Sequence, residues 1–273
     1  MDVEKTARGG RAALAMEAAG LAWLAEAETG GGTQIARARL DGDALRVARV
    51  DPAPATPERA EALGRSLALL HASGADWHCC PPPGAEPPFE VGSSRTPLAA
   101  EPVGGRRVEP SVDGHAGAAW GEAWATTSVR PILERCIADG AFDRGAASII
   151  DRAVERMAAG DFDAPQPRLV DGVARIHGDL WSGNVLWSEV DTGAVLIDPH
   201  AQGGHAETDL AMLALFGVPQ LDRVLAAYDE ASPLADGWRE RIPLHQLQPL
   251  LVHTMLFGGG YAQQAVAVAR SLT

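Results

Sequence analysis

The stretch Arg175-Ile-His-Gly-Asp-Leu-Trp-Ser-Gly-Asn-Val-Leu-Trp187, followed by Ala194-Val-Leu-Ile-Asp-Pro199, decides how the chain folds. Short apolar runs alternate with polar loop residues and a turn at 191–193, a pattern that predicts strands with polar groups at their ends. The loop presents Asp179 and, five residues later, Asn184; Asp198 follows fourteen residues after that. The sequence therefore predicts hard-oxygen side chains at the ends of short strands.

The spacing of these residues is that of the phosphoryl-transfer pattern H-x-D-x-x-x-x-N followed by a metal-binding aspartate. Asp179 is predicted to accept the proton of an attacking hydroxyl. Asn184 and Asp198 are predicted to bind Mg²⁺, which holds the phosphates of ATP. Either fragment alone occurs by chance in α/β proteins, but the ordered combination favours the functional interpretation. Pro199 predicts an extended backbone at Asp198.

Longer motifs add to this pattern: His177-Gly-Asp-Leu-Trp-Ser-Gly-Asn184, Ile197-Asp-Pro199 and Gly204-His-Ala-Glu-Thr-Asp-Leu-Ala-Met-Leu-Ala-Leu-Phe-Gly217. They resemble the fructosamine kinase (ketosamine 3-kinase) family, within the protein-kinase-like group that includes the aminoglycoside phosphotransferases. The resemblance runs from about Trp120 to the C-terminus. It implies an α+β, protein-kinase-like bilobal fold with a small β-containing N-lobe and a large, mostly helical C-lobe.

The resemblance also implies an activity. It is the ATP- and Mg²⁺-dependent phosphorylation of the 3-hydroxyl of a ketosamine, such as a fructosamine or ribulosamine, in protein deglycation. The alternative within the same class is an aminoglycoside or other small-alcohol phosphotransferase, with the acceptor chosen by the long irregular segment 73–118.

Lys5 and Glu17 are the predicted pair on the nucleotide side. In kinase-like folds a strand lysine contacts the phosphates and pairs with a glutamate on the next helix. Glu17-Ala-Ala-Gly-Leu21 matches the family at that helix, and Lys5 precedes Glu17 by twelve residues. The alternative is a surface glutamate and a terminal lysine in solvent.

The family has two strands and a glycine-rich or small-residue turn ahead of that lysine, and the sequence from Met1 has no counterpart to them. We expect either that the N-lobe is truncated, because the given start lies inside a longer natural chain, or that the nucleotide lid is absent. The second case motivates a different class of protein, a catalytically impaired pseudokinase or binding protein.

The predicted domains are an N-lobe over residues 1–50, a hinge linker over 51–56 and a C-lobe over 57–273. By position, the end of the N-lobe near Val50 should meet the adenine of ATP. Thr56 is a predicted N-cap, because a proline follows it at the first position of the next helix.

Within the N-lobe, an alanine-rich helix is predicted from Arg11 to about Glu28, where Gly30-Gly-Gly32 ends it. A hairpin of half-buried strands is predicted over residues 34–50, with its turn at Asp41-Gly42. In the C-lobe, helical periodicity predicts segments at 57–71, from 119 onward, and at 146–159, 206–216, 221–228, 242–257 and 261–272.

Further site residues follow from the resemblance. His177 is expected to brace the catalytic loop, and Asp209 to support its backbone. Trp181, His205 and Glu207 are candidate substrate contacts. The alternatives are core packing for Trp181 and helix-start polar residues for the other two. Trp120 and Trp124 are likewise either core or sugar-facing residues.

Composition limits the partners. The 273 residues carry a net charge of −13, which argues against nucleic acid and anionic membranes. Cys79, Cys80 and Cys136 form no disulfide framework; His78 with the cysteine pair suggests either a metal site or loop cysteines. We expect a cytoplasmic monomer that acts on a small-molecule or glycated-amine substrate.

Overall fold

The chain combines short strands with helices of up to 20 residues. The computed structural model describes residues 2–6, 10–105 and 120–273. The strands are β1 (Asp2–Lys5), β2 (Gln34–Ile35), β3 (Ala38–Asp41), β4 (Ala44–Ala48), β5 (Glu90–Val91), β6 (Thr96–Pro97), β7 (Ala174–Ile176), β8 (Val185–Trp187), β9 (Ala194–Leu196) and β10 (Gln202–Gly204). The helices are α1 (Gly10–Ala25), α2 (Pro57–Ala72), α3 (Trp120–Trp124), α4 (Arg130–Ala138), α5 (Arg144–Ala158), α6 (Glu207–Phe216), α7 (Leu221–Ala231), α8 (Trp238–Phe257) and α9 (Gly260–Ser271). Within the described ranges, no helix is long and apolar enough to cross a membrane.

A small antiparallel sheet and one helix form the N-terminal part. The strand order is β1-β4-β3, and Lys5 lies opposite Leu45. Helix α1 buries Leu14, Leu21 and Leu24 in the same core as Leu45. Because these apolar residues recur at helical spacing, they form one buried face. The predicted strand, helix and hairpin turn are all present, with the turn one residue later, at 42–43.

The first strand of the predicted hairpin is interrupted. Gln34–Ile35 leaves the hairpin and pairs in parallel with β9, where Ile35 lies opposite Leu196. The carboxylate of Glu28 accepts a hydrogen bond from the Ile35 N–H at 2.9 Å and pairs with Arg37, which redirects the chain here. The prediction of one continuous hairpin strand was wrong, because these long-range contacts outweigh the local alternation. The parallel pairing of β2 with β9 joins the N-terminal part to the strand that precedes Asp198.

Helix α2 begins and packs as its sequence predicts. The Thr56 hydroxyl accepts a hydrogen bond from the Arg59 N–H, and Pro57 occupies the first helical turn. The helix buries Leu63 and Leu67 against α7. This packing carries the end of α2 into the interior beneath the catalytic loop.

The irregular segment 73–118 contains a short hairpin. Strands β5 and β6 pair between Glu90 and Pro97, and Val91 packs with Met16 of α1. Residues 106–118 of the segment lie outside the described residues. The hairpin therefore connects this segment to the helix that carries Glu17.

The C-terminal part is a helical layer with its own core. The predicted helix from residue 119 is divided into α3, a π-helical turn at Ala125–Val129 and α4, which begins just before Pro131. Buried residues of this core include Ile132, Ile150 and Leu247. The other predicted C-terminal helices are present within a few residues of their expected ends.

Short strands frame the catalytic stretch. Strand β7 ends immediately before His177, and β8 begins immediately after Asn184. Strand β9 ends two residues before Asp198 and lies between β2 and β8 in a three-stranded sheet. The predicted strands thus deliver the polar residues at their ends.

Candidate active site

The loop from His177 to Asn184 is braced by a neutral imidazole. His177 Nε2 donates to the carbonyl of Ile197 at 2.9 Å, and its Nδ1 accepts from the Asp179 N–H at 3.3 Å. Burial lowers the pKa of His177 below its ordinary value, so the ring keeps one donor and one acceptor. The imidazole therefore joins the catalytic loop to the residues that precede Asp198.

A buried carboxylate holds the start of the same loop. Asp209 accepts the backbone N–H groups of His177 at 2.7 Å and Gly178 at 2.9 Å. His71 Nε2 donates to Asp209 at 3.1 Å, and the Tyr228 hydroxyl lies 2.8 Å from the other ring nitrogen of His71. Burial alone would raise the pKa of Asp209, but the His71 contact and the neighbouring imidazole outweigh it and lower that pKa. His71 was not among the predicted site residues; the signal for it in the sequence was a histidine in the last turn of an amphipathic helix.

Asp179 and Asn184 contact each other within the loop. The Asn184 side-chain N–H donates to the carbonyl of Asp179 at 2.8 Å and to its Oδ2 at 3.2 Å. These contacts occupy the nitrogen of the Asn184 amide, so the amide oxygen faces away from Asp179. Among the described residues, no hydrogen bond reaches Oδ1 of Asp179. One carboxylate oxygen and one amide oxygen are thus left for a ligand.

Lys5 joins the N-terminal sheet to Asp198. Its ammonium lies 2.9 Å from Oε1 and 2.8 Å from Oε2 of Glu17, and 3.2 Å from Oδ1 of Asp198. Burial alone would lower the pKa of Lys5, but the two carboxylates outweigh it, so the pKa is raised and the amine stays charged. The structure therefore brings the predicted lysine–glutamate pair to the predicted metal-binding aspartate.

The backbone of Asp198 differs from the prediction. Its φ is +53°, in the left-handed region, rather than the extended geometry expected before Pro199. The Ile197 N–H donates to the carbonyl of Asn184 at 3.2 Å, and Lys5 holds the Asp198 carboxylate, so surrounding contacts impose this conformation. Such a residue stores about 1–3 kcal/mol of backbone strain, which is common where a ligand is held.

These side chains surround one open cavity of about 460 Å³. Its lining consists of Lys5, Thr6, Ala13, Met16, Glu17, Val91, Gly92, Ser93, Asp179, Trp181, Asn184, Asp198, Pro199 and His200. Trp181 is 40% exposed there and makes an edge contact with Phe216. A smaller cavity of about 40 Å³ adjoins the first and shares Asp179 and His200 with it. An ammonium beside carboxylate and amide oxygens suits a polyphosphate with a divalent cation.

Val50 lies apart from this group. It lines a different cavity, of about 440 Å³, together with Ala48, Asp51 and Ser188. The lining of the cavity around Lys5 does not include it. The structure thus leaves Val50 outside the cluster formed by the other predicted nucleotide-side residues.

His205 and Glu207 are also placed away from the larger cavity. Both are buried, and Glu207 pairs with Arg241 and with His245 Nε2 at 3.3 Å. His205 Nε2 lies 3.3 Å from the carbonyl of Ala164, and its Nδ1 accepts from the Glu207 N–H at 3.2 Å. The two imidazoles and the carboxylate are close enough to ligate an ion, within 4.8 Å, but Arg241 already neutralises the carboxylate. Their polar atoms contact other residues of the interior, and neither side chain lines the cavity around Lys5.

Trp120 and Trp124 belong to the core. Both are buried, and their rings stack with centroids 4.8 Å apart. Trp120 also packs against His205 and His245. Of the two interpretations that the sequence allowed, the geometry favours core packing over contact with a sugar.

The cysteine pair lies in the interior. Cys79, Cys80 and Cys136 are free and buried, and burial raises the pKa of the Cys79 thiol to about 12. His78 is buried, and neither of its ring nitrogens has a hydrogen-bond partner among the described residues. Over that part of the chain, the grouping of possible metal ligands does not include His78 or the cysteines. The loop-cysteine interpretation is favoured.

The fold defines the class of proteins to which the chain belongs. A macrolide 2′-phosphotransferase from Brachybacterium faecium aligns over 98% of this chain and 83% of its own, with a TM-score of 0.53 and 17% identity, a similarity of fold alone. A candidate fructosamine-3-kinase from Thermobifida fusca has a TM-score of 0.76 and 38% identity, covering 98% of this chain and 81% of that one. The bilobal, protein-kinase-like α+β fold is confirmed, with a small β-containing N-lobe and a large, mostly helical C-lobe.

The sequence comparisons narrow this class to a family. A profile of the fructosamine kinase family matches residues 114–273, more than half of the chain. A probable ketoamine kinase of Thermus thermophilus is 31% identical over 249 residues, which are 90% of this chain and 77% of that protein. The aligned segments of two other probable ketoamine kinases span only 31% and 30% of those proteins' length. The chain belongs to the fructosamine kinase family.

Proposed function

We propose that this protein is an ATP-dependent small-molecule kinase that phosphorylates the 3-hydroxyl of a ketosamine, such as a fructosamine or a ribulosamine. The observation that carries the proposal is the convergence of Asp179, Asn184, Asp198 and the Lys5–Glu17 pair on one open cavity. The names of related proteins, ketoamine kinase and fructosamine-3-kinase, support the acceptor class. Such a reaction would serve protein deglycation.

Asp179 is the proposed general base. Its Oδ2 accepts a hydrogen bond from Asn184, which orients the carboxylate, and its Oδ1 is available to the acceptor hydroxyl. As the hydroxyl oxygen bonds to the γ-phosphorus, the bond to the β,γ-bridging oxygen breaks and ADP leaves with that electron pair. The proton of the hydroxyl passes to Asp179. Such general-base catalysis typically contributes ~10²–10⁴-fold.

Asn184 and Asp198 are the proposed Mg²⁺ ligands. The donor set fits, because the nitrogen of the Asn184 amide is occupied by Asp179 and its oxygen faces away from that contact. When bound, Mg²⁺ supplies charge neutralisation for the nucleotide phosphates. Lys5, braced by Glu17, is the proposed phosphate contact from the N-lobe. Its ion pair with Asp198 joins the proposed N-lobe to the proposed C-lobe.

Residues 51–56 are the proposed hinge between lobes 1–50 and 57–273. The segment fastens to strand β8: the Ala53 N–H donates to the carbonyl of Trp187, and the Ser188 hydroxyl donates to the carbonyl of Asp51, both at 2.8 Å. The proposed adenine contact at Val50 rests on its position at the start of this segment. Trp181 offers an exposed ring on which a sugar face could stack.

The test is ADP release with Mg·ATP in the presence of fructosamines, ribulosamines and aminoglycosides. We expect ketosamine-dependent turnover that falls ~10²–10⁴-fold in Asp179→Asn, with an unchanged melting temperature. Asp191→Asn, in the exposed turn between β8 and β9, is the matched control and should keep full turnover. The position of the phosphate on the product, determined by NMR, checks the 3-hydroxyl.

Each contrary result has a distinct meaning. Full turnover in Asp179→Asn would refute the base assignment. Turnover with aminoglycosides alone would show that the acceptor is an aminoglycoside rather than a ketosamine. A folded wild-type protein that binds Mg·ATP, measured by calorimetry, but turns over no acceptor would support a pseudokinase instead.

A further inference from the structure

His200 lies between the two cavities that meet at Asp179. It lines the larger cavity together with Lys5, and the smaller one together with Ser94 and His253. An acceptor that reaches the carboxylate of Asp179 from either cavity therefore lies in a space that this imidazole lines.

The imidazole is directed toward the proposed base. Nε2 of His200 lies 4.0 Å from Oδ2 of Asp179, which is beyond hydrogen-bond distance, and Oδ2 is already bonded to Asn184. An ionised carboxylate only accepts hydrogen bonds, whereas a neutral imidazole has one N–H donor. The other oxygen of this carboxylate, Oδ1, and Nε2 of His200 can therefore each bind one of two neighbouring oxygen atoms of one molecule, at hydrogen-bond distances of ~2.7–3.2 Å.

The β5–β6 hairpin fixes the ring in this position. A Cβ at Gly92 would lie 2.3 Å from Nε2 and Cε1 of His200, so only glycine allows the ring to lie against the backbone there. The φ of Gly92, +66°, also favours glycine. Arg135 holds the hairpin by donating to the carbonyl of Ser94 at 2.6 Å and to that of Arg95 at 3.0 Å.

We propose that His200 is a specificity-determining residue that recognises the oxygen atom on the carbon next to the phosphorylated hydroxyl. The inference rests on the proposed kinase function and deepens it. Asp179 accepts the proton of one hydroxyl, while Nε2–H of His200 donates a hydrogen bond to the oxygen on the adjacent carbon. The hairpin that contains Gly92 positions the donor.

The chemistry of a ketosamine matches this pair of groups. Its 3-hydroxyl, which must give up a proton, is next to C2, which carries a carbonyl oxygen in the open chain and an oxygen substituent in the ring form. Both C2 oxygens accept a hydrogen bond. An alcohol without oxygen on the neighbouring carbon leaves the imidazole donor unpaired, which lowers its binding in the ground state and in the transition state.

The experiment compares two open-chain acceptors that differ only at C2: a 1-alkylamino-1-deoxyerythrulose, whose four carbons are too few to close a five-membered ring through C2, and the corresponding compound in which C2 is a methylene. The measured quantity is the ratio of their kcat/KM values. We expect the wild-type ratio to favour the C2 oxygen by about 3- to 10-fold, the range of one hydrogen bond. His200→Ala should bring the ratio near one, and His200→Gln, which retains an N–H donor, should restore part of it.

Two further variants make the test specific. Gly92→Ala should lower the ratio as His200→Ala does, because the added methyl displaces the ring. His253→Ala removes another imidazole from the smaller cavity and should leave the ratio at the wild-type value. A wild-type ratio near one, or an equal loss for both acceptors in His200→Ala, would overturn the inference while leaving the kinase proposal intact. Absence of ketosamine turnover in the wild-type protein would overturn both.

Discussion

Two polar clusters in this molecule use similar side chains in opposite ways. The site cluster comprises Lys5, Glu17, Asp179, Asn184 and Asp198, and it opens onto a cavity. The buried cluster comprises His205, Glu207, Arg241 and His245. The side chain of Asp179 is 25% exposed, whereas that of Glu207 is 3% exposed.

The difference lies in how completely the polar atoms are paired. Arg241 binds both carboxylate oxygens of Glu207, and His245 binds one of them. Burial alone would raise the pKa of Glu207, but the hydrogen bonds from His245 and Arg241 outweigh it and lower the pKa to about 2. In the site cluster, by contrast, Oδ1 of Asp179 accepts no hydrogen bond from any described residue. A carboxylate near histidines is therefore a candidate site only where an atom stays available to a ligand.

Breaking the buried cluster should have the largest effect on stability. Glu207→Gln leaves the Arg241 guanidinium, whose side chain is only 16% exposed, without its counter-charge, and breaking such a pair typically costs ~3–5 kcal/mol. We expect that loss in the free energy of unfolding measured with urea. Turnover of the folded variant should change little, because Glu207 does not line the larger cavity.

The matched control for this prediction is Glu189→Gln. Glu189 pairs with Arg59, but its side chain is 83% exposed, so its loss should cost no more than ~1 kcal/mol. Similar costs for the two variants would contradict the contrast between a buried and an exposed ion pair.

Removing the cation of the site cluster should affect turnover rather than folding. Lys5→Met deletes a charged donor that faces the phosphates, worth ~1.5–3 kcal/mol, so kcat/KM for ATP should fall by about 10- to 150-fold. Arg46→Met removes a cation from the neighbouring strand that pairs with Glu4 and Asp41 outside the cavity. Equal kinetics for Lys5→Met and the wild type would assign Lys5 to the surface.

Acid should gradually lower the free energy of unfolding through buried histidines, both His205 of the buried cluster and His78 outside it. Burial lowers the pKa of His205 to about 4 and that of His78 to about 3. The unfolded chain binds these protons near pH 6.5, so the stability is complete above that pH and is lost as the pH falls toward the folded-state values. The loss is about 1.4 kcal/mol per pH unit for each histidine.

Thermal unfolding between pH 7 and pH 5 at constant ionic strength measures this loss. His78→Leu removes one of these titrations and also two buried nitrogens that lack partners among the described residues, so its pH dependence should be shallower. A melting temperature that does not fall with acid, or a slope that His78→Leu leaves unchanged, would contradict the prediction.

Much of the framework was predictable because local patterns specify it. The spacing from His177 to Asn184 predicts a loop between strands, and Thr56 with Pro57 predicts a helix start; both are present. The prediction was wrong at 34–35 and at the backbone of Asp198, where contacts with distant residues prevail over local preference.

The positions of single side chains were the least predictable from the sequence. His205 and Glu207 follow a family motif, yet they are buried in the interior, whereas His200 follows no motif and lies 4.0 Å from Asp179. Periodicity and spacing predict which segments meet. They do not predict which polar atoms find partners once the segments have packed.

The sequence by itself determined the strand–loop–strand framework, the helical layers and the set of oxygen and nitrogen groups carried by the catalytic stretch. Only the tertiary structure decided that Lys5 reaches both Glu17 and Asp198, that Arg241 pairs with Glu207, and that the β5–β6 hairpin presses against His200. The physical reason is that short-range backbone preferences act within a few residues. The pairing of a polar atom depends on groups brought together from distant parts of the chain.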